Sequence, residues 1–165
     1  KSFKAESPSI ITFHPWWLKE YKNRWFLFGM KSDTILNLAL DRILAIVTDE
    51  KIQYKPSQIS SIDDYFRDVI GVTVSLNVRA ENVRLWVDAG NAPYVETKPL
   101  HHSQQVLERN KDGSIIIGLK VQLNFELERE ILGFGETMVV KSPERLRKRI
   151  ISKTNSMREN YLDLN

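Results

Sequence analysis

Cysteine is absent from this sequence of 165 residues, and with it go disulfide bonds, thiolate metal sites and cysteine nucleophiles. That absence fits a reducing compartment. Glycine and proline are sparse, at 7 and 6 residues, which argues against a loop-dominated scaffold. No apolar run approaches the roughly 20 residues that span a bilayer, and the opening Lys1-Ser2-Phe3-Lys4-Ala5-Glu6 lacks the apolar core of a secretory signal. A cytoplasmic protein with no membrane partner is expected. Charge of one sign is also scarce, since 24 basic residues against 21 acidic leave a net +3, too small a surplus to imply nucleic acid by itself. The glycine patterns GxGxxG and GxxxxGK and the nucleophile elbow GxSxG do not occur, so the usual phosphate loops and hydrolase signatures are missing.

What is present suffices for folding. Hydrophobic residues make up 42% and charged residues 27%, near globular averages. Four Trp, five Tyr and seven Phe supply a core for one domain or two small ones. The chain begins with Lys1 instead of Met, so an upstream segment is expected in the whole protein.

From Ser9 to Val47 short β-branched and aromatic runs alternate with polar pairs such as Lys22-Asn23 and Ser32-Asp33. The pattern predicts five antiparallel strands, over 10–13, 16–18, 25–28, 35–40 and 43–47. Ser61 then caps a short amphipathic helix with apolar residues at 62, 65, 66 and 69, and Gly71 stops it. A domain boundary is expected near residue 72, where alternation through Val72, Val74, Leu76 and Val78 predicts a new strand. A short helix is expected over Ala80–Val87. Two strands over 104–109 and 114–123 flank the Asp112-Gly113 turn. Asn124 caps a helix over 125–132, a strand covers 136–140, and Ser142-Pro143 opens the last helix with serine as cap and proline at the first position. This order suggests a ferredoxin-like α+β second half.

The histidines are His14, His101 and His102. Adjacent residues on a strand face opposite ways, and no third ligand stands at a metal-binding spacing from the pair His101-His102, so neither metal nor cofactor is expected. The last helix carries Arg145, Arg147, Lys148, Arg149, Lys153 and Arg158 above Leu146, Ile150, Met157 and Tyr161. This reads as a solvated face, partly neutralised by Glu126, Glu128 and Glu130, before it reads as a phosphate site. The stretch Tyr21-Lys22-Asn23-Arg24-Trp25-Phe26-Leu27 is more informative, because rings stack bases and cations hold phosphates. Strand period separates Trp25 and Leu27 from Phe26 and Phe28. Trp25 and Leu27 are expected inside, leaving Phe26 to line a groove with Arg42, Arg24 and Lys22. Arg42 has a surface salt bridge, to Asp41 for instance, as its competing role.

Three short motifs in order, Pro15-Trp16-Trp17-Leu18, Arg24-Trp25-Phe26-Leu27 and Leu40-Asp41-Arg42-Ile43, resemble the WYL domain, with Phe26 in place of the family's tyrosine. Further on, Pro99-Leu100-His101-His102-Ser103-Gln104, Ile131-Leu132-Gly133-Phe134-Gly135 and Ser142-Pro143-Glu144-Arg145-Leu146 are similar to the WYL C-terminal extension, WCX. The resemblance implies an Sm-like or SH3-like β-barrel with a short helix for residues 1–72 and a ferredoxin-like extension for 73–165. It also implies a non-enzymatic module of a bacterial transcription regulator, with duplex DNA bound through an upstream helix-turn-helix and a homodimer as the assembly. The barrel would sense a nucleotide or single-stranded nucleic acid through Arg42 and Phe26, then Arg24 and Lys22, with roles in DNA-damage response or phage defence. Two departures bear on that site: Leu36 and Ala39 stand where the family pattern often has an arginine, and Phe26 lacks a phenolic donor. The competing function is a single-stranded nucleic-acid-binding accessory module of a DNA-processing or repair protein.

Overall fold

The computed structural model describes residues 7–163. It is of the α+β kind, with two antiparallel sheets and four helices, and it divides into two compact units between Arg67 and Asp68, a few residues ahead of the boundary expected near 72.

The first unit is a three-stranded meander, β1 (His14–Tyr21), β2 (Arg24–Lys31) and β3 (Thr34–Ala39), in the order β1-β2-β3. Two-residue turns join the strands. Lys22 and Asn23 both have positive φ, at 51° and 59°, the conformation that lets a two-residue hairpin follow the strand twist. Tyr21 pairs with Arg24 across the first turn and Lys31 with Thr34 across the second. Helix α1 (Ile62–Phe66) is capped by Ser61, whose Oγ accepts the Asp63 N–H at 3.1 Å.

Three of the five expected strands therefore form. Residues 10–13 and 43–47 join no ladder, and the sheet is open with no closed barrel among the described residues. A 3-10 turn at Leu40–Arg42 ends the β3 ladder. Beyond it Leu44, Ile46 and Val47 stand exposed. The face assignment on β2 is also reversed. Phe28 is buried, with Phe66 edge-on to it at 4.9 Å and Tyr65 at 6.4 Å, whereas Trp25 remains 49% exposed. The α1 rings cover the Phe28 side, and paired residues Glu20 and Trp25 lie on the other.

The second unit has a four-stranded sheet in the order β5-β6-β4-β7. Its elements run β4 (Glu81–Val87), α2 (Ala92–Thr97), β5 (Gln105–Arg109), β6 (Ile115–Val121), α3 (Phe125–Gly133), β7 (Met138–Ser142) and α4 (Glu144–Leu162). All paired neighbours are antiparallel. Val83, Leu85 and Val87 of β4 and Ile115, Ile117, Leu119 and Val121 of β6 form the centre of one core with Val95, Leu127, Ile131 and Leu146 from the helices. Residues 81–87 are thus a strand and not the expected helix, because their burial alternates with period two between two neighbouring strands. Helix α2, which begins with Ala92-Pro93, was not expected. Strand β7 starts after a 3-10 turn at Gly135–Thr137. Ser142 ends it, paired with Arg84, so Pro143 and not Ser142 takes the cap position of α4.

The expected strand over 72–78 is a loop held by side-chain amides. Gln122 Oε1 accepts the Ser75 N–H at 3.0 Å, and its Nε2 donates to the carbonyls of Ser75 and Val78. Asn124 Nδ2 donates to the carbonyls of Ile70 at 2.8 Å and Thr73 at 3.1 Å, while its Oδ1 caps α3 by accepting the Leu127 N–H at 2.9 Å. Backbone groups satisfied this way need no neighbouring strand. Gly71, at φ 89°, lies where any Cβ would collide with Glu126, so the loop needs glycine there both for conformation and for space.

Candidate functional site

The candidate site is built on one end of the first sheet. The Lys22-Asn23 turn delivers Arg24 as the first residue of β2, and Phe26 pairs with Ala39, the last residue of β3. The chain then turns through Leu40–Arg42. That turn is tied to β2 by a two-pronged ion pair: Arg24 Nε donates to Asp41 Oδ1 at 2.9 Å and Nη2 to Oδ2 at 2.5 Å. This link and the strand register bring Arg24, Phe26 and Asp41 together, and Arg42 follows Asp41 in the 3-10 turn.

The ring of Phe26 is half-buried, with the Arg24 guanidinium carbon 5.9 Å from its centroid. The Arg24 hydrogen bond is the main cause that holds the Asp41 carboxyl below its ordinary range, against desolvation. Lys22 lies on the turn with its Nζ 5.7 Å from the Tyr21 centroid, so it faces Tyr21. Arg42 is half-buried in the 3-10 turn. Asp41, the acid considered for Arg42, is the bidentate partner of Arg24, and the neighbouring Arg42 charge also helps to hold its pKa down. Asp41 sits seventeen positions from Arg24, and no local spacing signals such a pair.

A second feature of this unit is the packing of Lys19, whose Nζ lies 4.0 Å from the Phe66 centroid. Burial lowers its pKa, with nearby Asp63 opposing. Burial likewise raises the Tyr65 phenol. His14 is buried, and its Nδ1 accepts the Lys55 N–H at 3.2 Å. Trp16 Nε1 donates to the Lys55 carbonyl and Tyr54 Oη to the Pro15 carbonyl, so three bonds fix residues 54–55 to the start of β1.

In the second unit the basic face of α4 is largely matched by acids. Glu128, although buried, accepts from Arg149 at 3.1 Å and Lys153 at 2.9 Å. Arg145 pairs with Glu81 and Arg147 with Glu144. Of the apolar stripe, Leu146 and Ile150 pack on the core, whereas Met157 and Tyr161 are exposed. His101 and His102 lie in a turn and not on a strand, so their rings sit side by side, 4.1 Å between centroids, instead of on opposite faces. The His101 Nδ1 is 2.8 Å from Ser103 Oγ. No helix among the described residues is long and apolar enough to cross a membrane.

An antiparallel sheet with helices from α2, α3 and α4 on its core defines the second unit, and residues 79–157 match the family model of the WCX domain. A WCX domain is therefore found in this chain, where the similarity of its motifs to the WYL C-terminal extension pointed. Across both units the chain is similar to Protein PafB of Mycobacterium tuberculosis (strain ATCC 25618 / H37Rv), at 26% identity over 155 residues, covering 93% of this chain and 46% of the relative. Protein PafB of Mycobacterium bovis (strain ATCC BAA-935 / AF2122/97) matches equally. The chain thus spans about half the length of the curated relatives it matches. Among solved structures, Proteasome accessory factor B/C (PafBC) of Arthrobacter aurescens matches at 17% identity, over 84% of this chain and 21% of that one, with a TM-score of 0.37.

Proposed function

We propose that this chain is the non-enzymatic ligand-sensing and dimerising module of a bacterial transcription regulator of the WYL type. The observation that carries this reading is the WCX domain at residues 79–157, preceded by a β-meander whose Arg24-Trp25-Phe26-Leu27 and Leu40-Asp41-Arg42-Ile43 motifs are tied together by the Arg24–Asp41 pair. The likeness to Protein PafB runs through both units and supports reading them as parts of one protein. The element sequence β4-α2-β5-β6-α3-β7 supports a ferredoxin-like extension, and the antiparallel β1-β2-β3 meander is compatible with part of a small Sm-like or SH3-like barrel.

The effector in this reading is a nucleotide or single-stranded nucleic acid. Its base stacks on Phe26 and its phosphate meets Arg42, Lys22 and Arg24. Duplex DNA is bound by another part of the regulator, and the working form is a cytoplasmic homodimer. A site of two or three cations gives a shallow dependence of single-strand affinity on salt, with a logarithmic slope of roughly 1.5 to 2, since each neutralised phosphate contributes about 0.7. Fluorescence anisotropy with a labelled single-stranded oligonucleotide at several salt concentrations tests this. Arg42→Ala lowers both affinity and slope. A steep slope that survives Arg42→Ala relocates the site to α4, and weak binding of every oligonucleotide with tight binding of a mononucleotide narrows the effector class. Sequence-tolerant binding to long single strands with no effect on dimerisation would instead favour an accessory module of a DNA-processing protein.

A further inference from the structure

The second unit holds an open cleft of about 520 Å³ on its helical side, inside the size range of small-molecule sites. Helix α2 supplies Tyr94, and Lys98, the residue that ends it, adds a cation to the lining. Helix α3 and its end supply Glu130, Gly133 and Phe134, at spacings of three and four. Ala92 and Val95 of α2 and Leu127 and Ile131 of α3 are buried in the core, which leaves the cleft residues on the outer faces of both helices.

The two rings form a corner, with centroids 6.4 Å apart and planes inclined at 57°, and Tyr94 is 53% exposed. Such a corner can hold an apolar or aromatic group against one face and one edge. The Lys98 Nζ stands over the Tyr94 ring, 5.4 Å from its centroid. Gly133 has open space where a Cβ would be, so the wall carries no side chain there. Among the described residues the charged groups that line the cleft are one cation, Lys98, and one carboxylate, Glu130. A carboxylate in the lining disfavours a phosphate ligand, whose charge it would repel. A ligand with one anionic and one cationic end next to an apolar body satisfies both.

We propose that this cleft binds a free α-amino acid with a large apolar or aromatic side chain. Its carboxylate pairs with Lys98, its ammonium with Glu130, and its side chain fills the Tyr94–Phe134 corner. The inference does not depend on the effector site of the first unit, which uses other residues.

Isothermal titration of the full chain with L-phenylalanine and L-leucine tests it, with N-acetyl-L-phenylalanine, phenethylamine and adenosine monophosphate as controls. Saturable binding of the two amino acids is expected, weakened roughly tenfold to a hundredfold in each analogue that lacks one charged end, as a lost charge-assisted hydrogen bond predicts. Lys98→Ala and Glu130→Gln each weaken binding by a similar factor. Gly133→Leu blocks the cleft without removing any polar group and abolishes binding, with an unchanged far-UV spectrum as evidence that the fold is kept. Should a variant fail to fold, the analogue series decides alone. No saturation by either amino acid at about 10 mM, binding that persists in folded Gly133→Leu, equal affinity for the analogues, or a preference for the nucleotide each overturns the proposal.

Discussion

The second unit buries its apolar residues in one continuous core, whereas the first leaves a row of them in solvent. In β4 from Val83 onward and throughout β6 every second residue is apolar and nearly inaccessible, because the helices cover one face of the sheet and β4 has strands on both sides. In the first unit the side of β2 that carries Phe28 is covered by Tyr65 and Phe66 of the short α1. Trp25 and Leu18 remain exposed. The lesson is that a strand with apolar residues on both faces does not reveal which face is inside. The covering element decides.

The largest effects that sharpen this contrast are in the two cores. Phe28→Ala in the first unit and Leu85→Ala in the second each remove a fully buried side chain, at about 3–5 and 2–5 kcal/mol respectively. Chemical denaturation should therefore show two separable transitions, with Phe28→Ala shifting one and Leu85→Ala the other. A single transition shifted equally by both would mean that the units unfold together.

Asn124→Ala follows, at about 2–3 kcal/mol, because it removes a helix cap and leaves two carbonyls of the 70–73 loop short of a donor. Hydrogen exchange should report faster exchange across residues 70–78 in that variant. Trp25→Ala is expected to cost only about 1 kcal/mol, since half of the side chain is already in water. A loss as large as that of Phe28→Ala would place Trp25 in a core after all.

Smaller still are the charge effects. Asp41→Asn releases Arg24 from its bidentate partner, so the salt slope for single-strand binding should rise by about 0.7, one phosphate equivalent. A fall in both slope and affinity would mean that the ion pair shapes the site more than it restrains it. Lys19 has a pKa lowered from its ordinary 10.5, so the folded protein holds fewer protons there than the unfolded chain. Stability contributed by this group rises with pH between the lowered value and 10.5. Lys19→Met should flatten the stability profile over that interval. An unchanged slope would assign the rise to other groups.

Much was legible in the sequence where the relevant interactions are local. The Ser61 and Asn124 caps, the Lys22-Asn23 and Ser32-Asp33 turns, the hairpin around Asp112-Gly113 and the α3 helix ending at Gly133 all follow from residues within a few positions of one another. The WCX motifs also lay in plain view. Lys22, Arg24, Phe26 and Arg42 could be singled out by residue type and by the resemblance, while the Arg24–Asp41 bond could not, because it depends on the third strand returning Asp41 to the start of β2. The cleft between Tyr94, Lys98, Glu130 and Phe134 was equally hidden, since α2 was not foreseen.

By itself, then, the amino-acid order determined the turns, the caps and the alternation that makes β6 a half-buried strand, because each rests on backbone geometry and short-range bonding. Tertiary structure decided the rest. It turned residues 81–87 into a central strand by giving them two neighbours, and it turned 72–78 into a loop by offering the amides of Gln122 and Asn124 in place of a ladder. It also chose Phe28 over Trp25 for the core. In each case the backbone groups or rings were satisfied by partners distant in the chain, and partners of that kind leave no periodic trace in a local window of sequence.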